Sequence, residues 1–162
     1  MTAEAIKQHD AEREKWVALV GRLILSFGDI ENITYLGLFQ LPKDSIFEST
    51  SKLGFGARVD LLLEILNGHE KLDPTLRKAF SEKLLAAKKL AEIRNTVAHS
   101  PLMLSVYQHP TEEWIHTELS LGNAKNKDKA LTLEKLSAST DEVEGLAKDL
   151  YNLYGEIYKH VV

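Results

Sequence analysis

Residues 73–101 read DPTLRKAFSEKLLAAKKLAEIRNTVAHSP, and this stretch predicts one long helix with a defined start and a defined end. Asp73 and Pro74 combine a helix-capping side chain with a proline at the first helical position. Ser100 and Pro101 predict the end of the helix, because proline cannot continue it. The apolar face between these signals consists of Leu76, Phe80, Leu84, Ala87, Ala91 and Ala98, which recur three, four or seven positions apart.

Four other segments have helical patterns. The first runs from about Ala3 to Leu41 and is closed by Pro42. A short helix is predicted within Asp44–Leu53, and a further one over Ala57–Leu66. A capping box at Ser139–Glu142 predicts the start of the last helix. The apolar face of the first helix consists of Trp16, Val20, Leu23, Phe27, Ile30, Thr34 and Leu38, and that of the last helix of Val143, Leu146, Leu150, Leu153, Ile157 and Val161.

Between the two last long helices the pattern changes to alternation of apolar and polar residues, over about residues 102–121. This indicates a β-hairpin turning around His109, Pro110 and Thr111. Ala130–Leu133 is a candidate third short strand. We therefore predict an all-α chain, an antiparallel helical bundle of four to five helices. A small β-excursion at about residues 102–133 precedes the last helix, and residues 1–162 form a single domain.

Composition excludes several classes of function. The chain contains no cysteine, so disulfides, thiolate metal sites and cysteine nucleophiles are excluded. Its first residues are polar, unlike a signal peptide, and no apolar run reaches membrane-spanning length, so we expect a cytoplasmic protein without a membrane partner. His109, Glu112, Glu113 and His116 lie close in sequence, but they lack the helical His-Glu-x-x-His spacing, so we predict no metal site and no cofactor.

Charge is unevenly distributed along the chain. The net charge of −4 argues against a protein that coats nucleic acid through bulk charge. Residues 74–99, however, contain six basic residues and only two acidic ones. This segment is either a solvated lysine-rich helix face or a surface that contacts an anionic partner.

Arg94 is unusual because it lies on the predicted apolar face of its helix. At about 100° per residue it lies roughly 40° from Phe80. Glu31 lies about as close to Phe27 on the first helix. Since a buried charge is costly without a partner, we expect Arg94 and Glu31 to pair. The alternatives are that both extend into solvent or that they form a purely structural ion pair.

Asn95 and His99 are four residues apart and share one side of the same helix. A carboxamide one turn before an imidazole can fix the orientation of the ring. A histidine near the end of a helix is also a common structural residue that caps the last carbonyls. On the residues alone, His99 is either such a cap or a proton-transfer group.

Three stretches together resemble HEPN domains: Ile93–Ser100 with its Arg-Asn-x-x-x-His hexapeptide, Phe27–Glu31, and Phe55–Leu62. They occur in the order found in that family, and the resemblance spans roughly residues 16–160. Catalytic HEPN proteins are metal-independent endoribonucleases, of toxin or defence type, that dimerise so that two hexapeptides form one composite cleft. The resemblance implies that Arg94 and His99 are catalytic, that Asn95 orients the cleft and that Glu31 positions Arg94.

The same resemblance implies partners and leaves one alternative open. A homodimer and an RNA substrate are expected, with Lys88 and Lys89 as further RNA contacts. A cognate antitoxin, often a nucleotidyltransferase, accompanies many toxin-like members. Other HEPN-like proteins, similar to the mannitol-operon repressor, are non-catalytic dimeric binding or regulatory proteins. The acidic balance favours this second class, and the intact hexapeptide favours the nuclease.

Overall fold

The computed structural model describes residues 3–42, 44–108, 115–122 and 130–161. Within these residues the chain forms a mostly α-helical bundle, with one antiparallel β-hairpin before the last helix, which confirms the predicted fold class. The elements in chain order are α1 (Ala3–Gln40), α2 (Phe47–Thr50), α3 (Phe55–Gly68), α4 (Pro74–His99), β1 (Leu102–Gln108), β2 (Ile115–Leu121) and α5 (Leu133–Val161). None of the described helices is both long enough and apolar enough to cross a membrane.

Helix α4 begins and ends where its sequence predicts. The Asp73 Oδ1 atom accepts a hydrogen bond from the backbone N–H of Leu76 at 2.9 Å, which is the capping contact expected of this side chain. The helix continues to His99 and stops just before Pro101. The hexapeptide therefore occupies the last two turns of α4.

The chain divides into two compact units, and the first contains residues 1–24 and 92–141. Its core is formed by Trp16, Leu23, Val97, Leu119, Leu121 and Leu136. The hairpin lies in this unit, with Leu102 opposite Leu121 and Leu104 opposite Leu119. Its predicted turn at residues 109–111 lies outside the described residues. The predicted third strand is reduced to a single antiparallel bridge between Leu121 and Leu131.

The second unit contains residues 25–91 and 142–162. Its largest fully buried side chains are Phe27, Phe80, Ile30, Ile33, Leu38, Leu62, Leu66, Leu84 and Leu150. Arg58 on α3 is also buried in this unit, with 4% of its side chain exposed. Its guanidinium donates hydrogen bonds to Thr34 Oγ1, Tyr35 Oη and Leu53 O at 3.1, 2.8 and 2.7 Å. Oxygen atoms of α1 and of the loop before α3 thus accept hydrogen bonds from the buried guanidinium. The sequence pattern had not predicted that Arg58 is buried.

The last helix begins earlier than the sequence predicts. Helix α5 starts at Leu133, so the proposed capping box at Ser139–Glu142 is wrong and lies inside the helix. Thr132 is the observed cap, because its Oγ1 accepts a hydrogen bond from the Lys135 N–H at 3.4 Å. Hydrogen bonds from its own backbone N–H and from Thr132 lower the pKa of Glu134 below its usual value. The early start places Leu136 in the core of the first unit.

Two substitutions distinguish these two helix starts. Thr132→Ala should lower the free energy of unfolding by about 0.5–2 kcal/mol, because it removes a capping oxygen. Ser139→Ala should raise it by up to about 0.5 kcal/mol, because alanine is the better residue inside a helix. Urea denaturation followed by circular dichroism measures both. A loss at Ser139 with no loss at Thr132 would contradict the observed start.

Gly37 allows α3 to approach α1 closely in the second unit. A Cβ atom at position 37 would lie 2.8 and 2.9 Å from the two δ carbons of Leu62, which is fully buried. Gly28 in the same helix would have no atom within 4 Å of such a Cβ. The two glycines therefore differ in packing while sharing a helical backbone.

This difference predicts opposite effects of the same substitution. Gly37→Ala should lower the free energy of unfolding by about 1–3 kcal/mol through overpacking against Leu62. Gly28→Ala should raise it by about 0.5–1 kcal/mol, because alanine favours the helix. Thermal and urea unfolding of both variants test the contrast. Equal effects at the two positions would show that the contact at Gly37 does not constrain the packing.

Candidate functional site: the last two turns of helix α4

The hexapeptide presents its polar side chains to solvent at the end of α4. Asn95 and His99 are exposed, and Arg94 is half-buried. Thr96, between them, donates its hydroxyl to the Glu92 carbonyl at 3.0 Å, a bond within its own helix. An exposed carboxamide and an exposed imidazole one turn apart are thus available to a ligand.

Burial of Val97 explains this arrangement. Val97 is 5% exposed and belongs to the core of the first unit with Leu23 and Leu136. At about 100° per residue, both Asn95 and His99 point roughly 160° away from Val97, so a buried Val97 directs them outward together. Arg94 lies about 60° from Val97, which accounts for its partial burial.

The predicted apolar face of α4 is wrong at one residue, Ala98. Ala98 was expected to be buried in line with Phe80 and Ala87, but it is exposed. In the first unit Val97 enters the core in its place, so the buried side of α4 near its end differs from the side that Phe80 defines. The small Ala98 side chain consequently lies at the surface, and at about 100° per residue it falls between Arg94 and Asn95 around the helix.

Arg94 and Glu31 are both half-buried, and each has an interaction partner. Arg94 belongs to the first unit and Glu31 to the second. The absence of buried polar side-chain atoms without a hydrogen bond, among the described residues, agrees with the expectation that neither charge is stranded. The specific pairing of Arg94 with Glu31 stays a prediction.

The lysine-rich part of α4 is largely neutralised by acidic residues. Lys88 Nζ lies 2.6 and 2.7 Å from the two carboxylate oxygens of Asp60, and Lys83 Nζ lies 2.6 Å from Asp149 Oδ2. A looser contact of 4.0 Å joins Lys78 to Glu82. Of the two lysines expected to contact RNA, Lys88 is therefore engaged within the second unit, whereas Lys89 is exposed.

Two surface grooves lie elsewhere in the molecule. A groove of about 450 Å³ in the second unit lies between α1 and α5 and includes Asp29, Asn32, Lys148 and Tyr151 in its lining. A smaller apolar groove of about 350 Å³ in the first unit is lined by Arg13, Trp16, Val17, Val20, Gly21, Leu102 and Leu121. Neither of these two grooves is lined by a residue of the hexapeptide.

No group of three or more histidine, aspartate or glutamate side chains in the described ranges is placed to hold a metal ion. Of the residues weighed as metal ligands from the sequence, His109, Glu112 and Glu113 lie outside those ranges, and the His116 side chain is not described.

Comparison of the chain with protein-family models, with curated proteins and with solved structures gave no match. The HEPN resemblance therefore rests on the motifs of this chain.

A double-mutant cycle tests the predicted pairing of Arg94 with Glu31. Glu31→Gln and Arg94→Gln should each destabilise the protein, because each leaves the other charge without its partner. If the two pair, the double variant should lose less than the sum, with a coupling of about 0.5–3 kcal/mol. The matched control combines Glu31→Gln with Lys89→Gln, which should be additive within about 0.5 kcal/mol. Additivity in the first cycle would contradict the pairing.

Proposed function

We propose that this protein is a metal-independent endoribonuclease of toxin or defence type, whose active site is built from the Arg94–His99 hexapeptides of two copies. The observation that carries the proposal is the joint exposure of Asn95 and His99, with Arg94 half-buried beside them, at the end of α4. A structural C-cap explains an exposed histidine, but it does not explain an arginine and a carboxamide held next to it. The resemblance to HEPN domains supplies the reaction class.

The chemistry needs only groups of the protein and the RNA. The ribose 2′-oxygen attacks the adjacent phosphorus and loses its proton, while the bond from phosphorus to the 5′-oxygen breaks and that oxygen gains a proton. An imidazole such as that of His99 serves as the base or the acid in these two transfers, worth about 10²–10⁴-fold in rate. The guanidinium of Arg94 holds the phosphate and offsets its growing charge. The products are a 2′,3′-cyclic phosphate and a 5′-hydroxyl.

Two proton transfers at opposite sides of the phosphate favour two histidines, and hence two copies of the chain. The exposed Ala98 supports such an assembly, because its small side chain lets a second helix approach the site. Three other alanines of α4 are less accessible: Ala87 is buried, and Ala86 and Ala91 are half-buried. In this proposal the contact between copies is centred on Ala98.

A second candidate is a non-catalytic dimeric binding or regulatory protein, similar to the mannitol-operon repressor. The ion pairs of Lys83 and Lys88 favour it, because they remove positive charge that an RNA backbone would need. In that case Arg94 and His99 contribute only to an interface between copies or to a cognate protein partner, such as an antitoxin or nucleotidyltransferase.

Cleavage of RNA in chelator distinguishes the two candidates. The nuclease should cut RNA without added metal, leave 2′,3′-cyclic phosphate ends, and fail on DNA and on 2′-O-methyl RNA, because both lack the nucleophile. His99→Ala should lower the rate by at least about 10²-fold with the fold unchanged. The matched control is His160→Ala, an exposed histidine in the last turn of α5, which should leave cleavage unaffected.

Other outcomes decide against the nuclease. Cleavage that stops in chelator, or equal cutting of DNA, would contradict the mechanism. Cleavage that survives His99→Ala would remove the imidazole from it. Binding of RNA without cleavage, abolished by Arg94→Ala, would favour the binding protein.

A further inference from the structure

Strand β1 has an outer edge at the surface of the first unit. In the described part of the chain the sheet consists of β1 and β2 alone, so β1 is hydrogen-bonded on one side. The strand runs over seven residues, Leu102–Gln108, and contains neither proline nor a charged residue. Natural sheets usually protect an exposed edge with such residues, so an edge without them is suited to pairing with another strand.

The direction of the backbone groups on this edge follows from the other side of the hairpin. The N–H and the carbonyl of Leu121 both bond to Leu131, at 3.0 and 2.7 Å, and hence point away from β1. Leu102, which lies opposite Leu121, is therefore in a pair without direct hydrogen bonds. In an antiparallel ladder, pairs that exchange hydrogen bonds alternate with pairs that do not. The backbone N–H and carbonyl groups of Leu102, Leu104 and Val106 therefore point outward from the hairpin.

The same residues carry exposed apolar side chains. Leu104 is 48% exposed and Val106 is 60% exposed, although they lie on the face of the hairpin that buries Leu119 and Leu121. Leu119 and Leu121 thus lie in the core, while the β1 side of that face remains in contact with water. Both the backbone edge and this apolar strip would be covered by one additional strand.

We propose that β1 pairs with β1 of a second copy of this chain, antiparallel about a two-fold axis at Ser105, to form a continuous four-stranded sheet. In this register Leu104 lies directly opposite the second copy's Val106, and Val106 opposite its Leu104. Both residues have outward backbone groups, so each such pair exchanges two hydrogen bonds. Their exposed side chains meet on one face, where cross-strand apolar pairs are stabilising.

The register is self-consistent along the whole strand. Leu102 comes opposite Gln108, which also has outward backbone groups by the same alternation. On the other face Met103 comes opposite Tyr107, and thioether contacts with aromatic rings are favourable. A shift of the axis by one residue in either direction, to Leu104 or to Val106, shortens the paired segment and leaves two end residues of each strand without partners. The seven-residue strand therefore matches itself best with the axis at Ser105.

The uncharged edge and its self-matching register favour a second copy as the occupant. The chain has a net charge of −4, but β1 has no charged residue, so no like charges face each other directly between the two paired strands. The edge is about 23 Å long, and a contact of that length buries less than about 1,200 Å² in total. We therefore expect a weak pairing that depends on concentration.

This interface is separate from the proposed composite cleft. In the register about Ser105, the Leu102 residues of the two copies are six positions apart along the sheet, or about 20 Å. The hexapeptide ends three residues before Leu102 in each copy. The β1 pairing therefore goes beyond the proposed nuclease function and does not depend on it.

Amide hydrogen exchange by NMR, measured on the full chain at increasing concentration, tests the pairing residue by residue. The amides of Leu104 and Val106 should exchange more slowly as concentration rises, because they become hydrogen-bonded between copies. Those of Met103 and Ser105 bond within the hairpin and serve as internal controls that change little. Concentration-independent exchange at Leu104 and Val106 would overturn the proposal.

Sedimentation velocity of three variants completes the test. Val106→Pro removes an outward N–H that the hairpin itself does not use, so it should abolish this association and keep the circular dichroism spectrum. Val106→Thr, which keeps the N–H and the β-branched shape, should retain it. Leu104→Lys places a charge on the edge without altering the backbone and should also abolish it. An association that survives both Val106→Pro and Leu104→Lys would belong to another surface, such as the hexapeptide. That result would refute the β1 pairing and would leave the proposed nuclease function untouched.

Discussion

The apolar stripe of α1 is the constraint that the rest of the structure depends on. From Trp16 to Leu38 this helix keeps one side largely apolar, and it contributes to the cores of both compact units. Trp16 and Leu23 are buried in the first unit, and Phe27, Ile30 and Leu38 in the second. Each such side chain is worth about 1.5–3 kcal/mol when fully buried, so the stripe has to be covered along its whole length. In each unit, the elements other than α1 provide that cover.

Covering the stripe in the first unit also determines how the hexapeptide is displayed. Val97 packs with Leu23 and Leu136, and helical geometry then directs Asn95 and His99 to the opposite side of α4. The polar group of residues that we propose as the active site is thus a consequence of one buried valine. In the nuclease that we propose, a second copy of the chain would enclose the phosphate at this exposed site.

Several polar groups in the second unit form contacts within that unit. Arg58 is buried and its three hydrogen bonds go to neutral oxygen atoms. It also stacks over the Tyr35 ring, with 3.9 Å between the guanidinium carbon and the ring centre. Burial raises the pKa of Tyr154 to about 12, and its hydroxyl donates a hydrogen bond to the Gln40 side chain. The paired lysines of α4 belong to the same pattern, since their charge is largely used within the unit.

Features that depend on residues within one or two helical turns could be predicted from the amino-acid sequence. Asp73 and Pro101 defined the two ends of α4, because a capping oxygen and a missing N–H act locally. The spacing of apolar residues defined the buried side of α1, and alternation defined the hairpin. The Arg-Asn-x-x-x-His spacing likewise placed Asn95 and His99 on one face.

Packing between elements determines two further features. These are the face of a helix that is buried when several faces carry apolar residues, and the charged side chains that form ion pairs. Val97 and not Ala98 enters the core, because the surrounding side chains can fill the space around a valine there. Helix α5 starts at Leu133, after the cap at Thr132, and not at Ser139. The earlier start buries Leu136, whose carbonyl accepts a hydrogen bond from the Thr140 hydroxyl. Lys88 meets Asp60 across 28 positions of sequence. Such contacts depend on how elements pack, and no spacing within a single helix encodes them.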